Sequence, residues 1–206
     1  MKRTAIIYLH GFNSASLDVQ GNLLVAKEKL KILQEFCQRK DIVLKTPNVE
    51  YRDFMDVVED MLFLWNQQLD EGYEVIFAGS SLGGFTSEYL GIKTNSPVIM
   101  INPAIKPSKL LTQFIGVTEN FENGLPYSWN QTHCDQYKQY EEVIEKSRSR
   151  IKRLVLLDKG DELIDAKETR EKYKDKAKVM CFDGGSHGFE HMREALPVIE
   201  DFVFSD

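Results

Sequence analysis

The chain has 206 residues, of which 42% are hydrophobic, 28% charged and 11% aromatic, a composition that excludes disordered, collagen-like and low-complexity classes and is enough to bury a real core. Lys and Arg number 26 against 32 Asp and Glu, a net charge of −6, which argues against nucleic acid or an anionic membrane as the main partner because both require a basic face. No apolar run approaches the roughly 18 residues of a membrane span.

The N-terminal Met1-Lys2-Arg3 is followed by an apolar run that stops at His10, too short for a signal peptide. The three cysteines, Cys37, Cys134 and Cys181, lie far apart and make no disulfide framework. The expectation is a single domain, 1–206, in a reducing cytoplasm. The basic string from Lys146 to Arg153 follows Glu141, Glu142 and Glu145 and reads as a solvated helix end.

In chain order, Ile6 to Leu9 reads as a buried strand. Leu17 to Arg39 is predicted as a helix, with Leu23, Leu24, Leu30, Leu33 and Phe36 at helical spacing. Ile42 to Leu44 is a short strand stopped by Pro47, and Asp53 to Leu69 a second helix. Val75 to Ala78 is a strand, followed by a helix from Leu82 to Leu90 with Gly91 as its C-cap. Val98 to Ile101 is a strand halted by Asn102-Pro103. Leu154 to Leu157 and Val179 to Phe182 are two more strands, each followed by a helix: Asp165 to Lys174 and Phe189 to Phe204. Short apolar strands alternating with helices predict a doubly wound, mostly parallel α/β sheet covered on both faces. In such sheets ligands sit beyond the carboxyl ends of the strands, so the residues just after each strand carry the functional reading.

Roughly fifty residues separate the fourth strand from the fifth, more than one crossover requires. This stretch, 104–150, carries Phe114, Phe121, Tyr127, Trp129, Tyr137 and Tyr140, with turn signals at Asn123-Gly124 and Pro126. The expectation is a lid inserted after the fourth strand; the alternative is an irregular crossover packed at the side.

Four elements carry chemistry. Gly79-Ser80-Ser81-Leu82-Gly83 places a G-x-S-x-G run between a strand and a helix, where a sharp turn exposes a serine and the helix start presents free N–H groups. Ser81 is the expected nucleophile; Ser80 lacks the flanking glycines, and Gly79 and Gly83 supply the room the turn needs. His10-Gly11-Phe12-Asn13 follows the first strand, and the backbone N–H of Phe12 joins that of Leu82 as a candidate oxyanion hole. His10 reads as a structural histidine of that loop. His187, in the glycine-rich loop after the last strand, is the candidate base. His191 reads as a surface or packing residue, and His133 is a weaker alternative. After the fifth strand come Asp158, Asp161, Glu162 and Asp165; Asp161, in an Asp-x-x-aliphatic pattern with Ile164, is preferred as the acid, with the other three as rivals. The order nucleophile, acid, histidine is that of the α/β-hydrolases.

These strings resemble the YqiA-like esterases, a group of small bacterial α/β-hydrolases. The matching runs are Tyr8-Leu9-His10-Gly11-Phe12-Asn13-Ser14, Gly79 to Gly84, Asn102-Pro103-Ala104, Gly160-Asp161-Glu162 and Gly185-Ser186-His187-Gly188-Phe189. They span nearly the whole chain in the same order. The resemblance implies a compact hydrolase sheet that begins at the third strand of the full fold. It also implies cofactor-independent hydrolysis of acyl esters or thioesters, with Ser81, Asp161 and His187 as the triad. Two rival readings stand beside it: a non-catalytic binding protein on the same scaffold, and a zinc hydrolase using His187, Glu190 and His191 of an H-x-x-E-H run, which would need both histidines on one helix face.

Overall fold

The computed structural model describes residues 3–18, 20–24, 28–122 and 124–205. Six parallel strands form one sheet: β1 (Thr4–Leu9), β2 (Val43–Lys45), β3 (Glu74–Ser80), β4 (Val98–Ile101), β5 (Arg153–Asp158) and β6 (Lys178–Phe182), in the order β2-β1-β3-β4-β5-β6. The helices are α1 (Glu28–Arg39), α2 (Phe54–Asp70), α3 (Leu82–Thr94), α4 (Pro107–Leu110), α5 (Gln131–Asp135), α6 (Tyr137–Lys146), α7 (Ala166–Tyr173) and α8 (Met192–Phe204), with a 3-10 turn at Leu111–Phe114. Among the described residues, no helix is long and apolar enough to cross a membrane.

The central strands β1, β4 and β5 are buried throughout, as continuous apolar strands require, while the edge strands β2 and β6 are only partly covered. Alternate residues feed two separate cores: Ile7, Leu9 and Phe77 pack with α2 and α3, and Ile6, Tyr8 and Ile76 with α1 and α8. Because every pairing is parallel, with Leu9 opposite Gly79, Ser80 opposite Ile101 and Asp158 opposite Phe182, the carboxyl ends of these strands share one edge. The loops after them converge there.

Three boundaries differ from the sequence reading. Of the predicted helix from Leu17 to Arg39, only Glu28 onward is helical; Leu17 instead bridges antiparallel to Leu23, and positions 19 and 25–27 lie outside the described residues. Asp18 accepts from the N–H groups of Gln20 and Asn22, a local turn that competes with a helix. The helix α3 runs on past Gly91 to Thr94, and Asn95, at φ 56, makes the left-handed cap; Gly91 is instead where the helix crosses Val98. The last helix starts at Met192 rather than Phe189, because Phe189, at φ 60, closes a turn back to Ser186.

The stretch 104–150 divides in two. Tyr137, Tyr140 and Ile144 of α6 pack into the core against Phe54, Phe85 and Tyr89, so this half closes the crossover at the side of the sheet. The earlier half holds Phe114, Phe121, Tyr127 and Trp129, all in ring contact with Phe12 above the strand ends. The turn signal at Asn123 lies outside the described residues.

Candidate active site

At the end of β3 the chain turns sharply into α3. Ser81 takes φ 55 and ψ −120, a conformation that costs an L-residue about 1–3 kcal/mol and persists only where the surroundings impose it. Its N–H donates to the Ile101 carbonyl, and its own carbonyl accepts from Gly84 and Ala104. The turn is closely packed. A Cβ at Gly79 would lie 2.2 Å from the Gly83 carbonyl oxygen, and one at Gly83 would lie 2.1 Å from that of Leu9, so neither position takes a side chain. A Cβ at Gly11 would sit 3.3 Å from the Ser81 Cβ: the loop after β1 passes directly over the serine.

That loop is held by His10. Its Nε2 accepts from the Val49 N–H at 2.9 Å and its Nδ1 faces the Gly11 carbonyl at 2.8 Å, which places the proton on Nδ1 and commits both ring nitrogens to backbone. The Tyr51 hydroxyl donates to the His10 carbonyl. Among the described residues, neither the Phe12 nor the Leu82 backbone N–H donates a hydrogen bond; both stand beside Ser81, one on the Gly11 loop and the other at the helix start.

His187 and Asp161 are brought together. The imidazole Nδ1 lies 2.9 Å from Asp161 Oδ2 and 3.0 Å from Oδ1. Asp161 has a side chain 1% exposed, and its Oδ1 also accepts from the Leu163 and Ile164 N–H groups at 2.8 Å. This ring contact puts the proton on Nδ1 and leaves Nε2 as a base. His187 and Ser81 line one cavity of about 300 Å³, with Gly11 and Phe12.

The three rival acids are engaged elsewhere. Asp165 caps α7, accepting from Lys167 and Glu168. Glu162 accepts from the backbone N–H of His187. Asp158, wholly buried, takes the Nδ1 of His191 at 2.8 Å and the N–H groups of Ser186 and Glu190. Thus two carboxylates three residues apart, one ending β5 and one in the loop after it, grip two different histidines. In the H-x-x-E-H run, His187 sits in a loop, helix α8 begins only after His191, and each histidine points Nδ1 at a separate aspartate; the helix face required for a shared zinc is missing. His133 completes the capping box at the start of α5 and packs on Trp129.

Asn102, which the sequence marks as a strand stop and as part of a matching run, also braces the site. At φ 41, it accepts from the Asp158 N–H and donates to the Ser186 carbonyl, which ties the ends of β4 and β5 to the loop that carries His187. The sequence signal available for this role is an asparagine, a residue type enriched at left-handed backbone positions, placed directly after a strand.

Comparison with known proteins gives one family and one fold. A family model described as "Uncharacterised protein family (UPF0227)" matches residues 5–204. A UPF0227 protein of Vibrio parahaemolyticus is 26% identical over 198 residues, covering 96% of this chain and 98% of the relative. Among solved structures, Est1E from Butyrivibrio proteoclasticus superposes with a TM-score of 0.76 at 14% identity, covering 98% of this chain and 87% of that one. A structure from work on LipS and LipT, two metagenome-derived lipolytic enzymes, gives 0.73 at 13% identity over 100% and 95%. The fold is that of the α/β-hydrolases.

Proposed function

The chain belongs to the UPF0227 family, and from that premise we propose that it is a serine hydrolase cleaving acyl esters or thioesters through Ser81, His187 and Asp161. The observation that carries this reading is the His187–Asp161 contact at 2.9 Å, with His187 lining the same cavity as a serine held at φ 55. Est1E and the lipolytic enzymes of similar fold support it as neighbours. The chain is read as one domain in which the first half of 104–150 covers the cavity.

Ser81 Oγ attacks the acyl carbonyl carbon while its proton passes to His187 Nε2. The carbonyl π electrons move onto oxygen, and the resulting oxyanion is held by the Phe12 and Leu82 N–H groups. Asp161 stabilises the imidazolium and keeps the ring oriented. The tetrahedral adduct collapses with cleavage of the C–O or C–S bond, and the alcohol or thiol leaves with the proton from His187. Water then gives its proton to His187, attacks the acyl-serine and releases the acid, returning the proton to Ser81.

The test is labelling with a fluorophosphonate probe. Wild type is expected to label at Ser81, and S81A not at all. If the folded wild type stays unlabelled where a known serine esterase reacts, the protein is a binding module on this scaffold.

A further inference from the structure

The cavity over Ser81 has two unlike walls. On the side of α2 and α3 it is apolar, with Phe12, Leu111, Phe114 and Leu163 joined to that core. On the side of α1 it carries Tyr8, Ser16, Lys29 and Ser80. Lys29 reaches in from the first turn of α1, and its Nζ donates to the Ser80 Oγ at 2.7 Å, one residue before the nucleophile. Ser16 is wholly buried, lines the same cavity, and among the described residues its Oγ has no hydrogen-bond partner. A buried hydroxyl without a partner is destabilising, and Ser16 brings one to the wall of this cavity.

The charge pattern is also selective. The chain has 32 acidic residues and a net charge of −6, yet none of the described residues lining the cavity is Asp or Glu while one is Lys. Three carboxylates bond to lining residues from outside the lining: Asp161 and Glu162 to His187, and Glu122 to Ser14.

We propose that the Lys29–Ser16 pole is a carboxylate-binding subsite. The substrate is then a small ester or thioester that bears a carboxylate as well as an apolar portion, the carboxylate set against Lys29 and Ser16 and the apolar portion against Phe12 and Phe114. A single ammonium with neighbouring hydroxyls matches a monoanion, and about 300 Å³ is at the small end of ligand sites. That the ligand is an ester rests on the function proposed above; that it bears a carboxylate does not.

Two matched pairs test this: monoethyl adipate against diethyl adipate, with the carboxylate on the acyl side, and 3-acetoxypropanoate against its methyl ester, with it on the alcohol side. Wild type is expected to prefer the anionic member of one pair in kcat/KM. In K29M that preference ratio is expected to fall by about tenfold or more, the usual weight of a charged hydrogen bond, with a smaller fall in S16A and partial retention in K29R. Adipate binding to S81A, read by calorimetry, is expected to weaken likewise in S81A/K29M. K29Q is run in parallel, so a misfolded K29M does not decide the outcome. Labelled Ser81 with no anionic preference in either pair, or a preference unchanged in K29M and K29Q, overturns the subsite and spares the hydrolase. Adipate binding that depends on Lys29 without probe labelling overturns the hydrolase and keeps the subsite. Tighter competition by inorganic phosphate than by adipate overturns the carboxylate assignment.

Discussion

The two histidine–aspartate pairs at the end of β5 look alike in isolation. His187 meets Asp161 at 2.9 Å and His191 meets Asp158 at 2.8 Å, each through Nδ1 and each with a carboxylate side chain essentially removed from solvent. They differ in what else the carboxylates hold and where the rings lie. Asp161 spends its remaining capacity on its own loop, at Leu163 and Ile164, and its histidine lines the cavity with Ser81. Asp158 spends its capacity on the opposite loop, at Ser186 and Glu190, and its histidine stacks on Phe182 at 5.3 Å. The first pair leaves a ring nitrogen on a residue that lines the cavity with Ser81; the second fastens the loop that carries His187. A histidine–aspartate contact is therefore chemistry only where its free nitrogen has something to act on.

Substitutions separate the two pairs. The largest expected effect is S81A, which should lower ester turnover by about three to six orders of magnitude, as loss of a nucleophile does elsewhere; steady-state hydrolysis of a short-chain p-nitrophenyl ester reads it. D161N should follow, with kcat down by roughly 10³–10⁴ because the imidazole loses its orienting charge and tautomer, while the melting temperature moves far less than in the next variant. D158A inverts that pattern. It removes a wholly buried carboxylate and leaves the Ser186 and Glu190 N–H groups and the His191 ring without their acceptor, and should cost about 3 kcal/mol, a fall of about 6–12 °C in Tm for a domain of this size. Equal thermal losses in D161N and D158A would remove the distinction drawn between them.

The smallest effect is in the pH dependence of stability. The hydrogen bond to the Asp158 carboxylate raises the His191 pKa above its ordinary value of 6.5. The folded state therefore binds this proton more tightly than the unfolded chain. Its contribution to stability is fully present below the unfolded pKa and is lost as pH rises through the higher folded value. The difference in Tm between wild type and H191Q should accordingly shrink on going from acidic to mildly alkaline pH; a difference that grows with pH would contradict the charged pairing.

Much of this was legible in the linear chain because it depends on local pattern. Continuous apolar strands of three or four residues, separated by amphipathic stretches, imply a parallel sheet, and a parallel sheet gathers its post-strand loops at one edge. That argument alone brings Ser81, the Phe12 loop, the acidic loop at 158–165 and the His187 loop into one neighbourhood. The Gly-x-Ser-x-Gly run is readable because its glycines answer a short-range steric demand: Gly79 faces the Gly83 carbonyl within the same turn.

What stayed hidden depends on contacts between residues far apart in the chain. Four carboxylates within eight positions have the same local credentials, and their sorting among His187, His191, a backbone amide and a helix cap follows from how β5, β6 and α8 pack. How the aromatic residues of 104–150 divide depends on which tyrosines find Phe54 and which rings find Phe12. Lys29 is one of 26 basic residues on a helix whose onset was itself misplaced; nothing in its neighbours marks it, and only the seating of α1 against β1 and β3 brings its ammonium to Ser80. Pattern specifies elements and the edge where they meet, because backbone sterics and apolar periodicity act over a few residues. The partner of each charged side chain is set by packing, because hydrogen bonds are made at about 3 Å across the fold and the chain order carries no such distances.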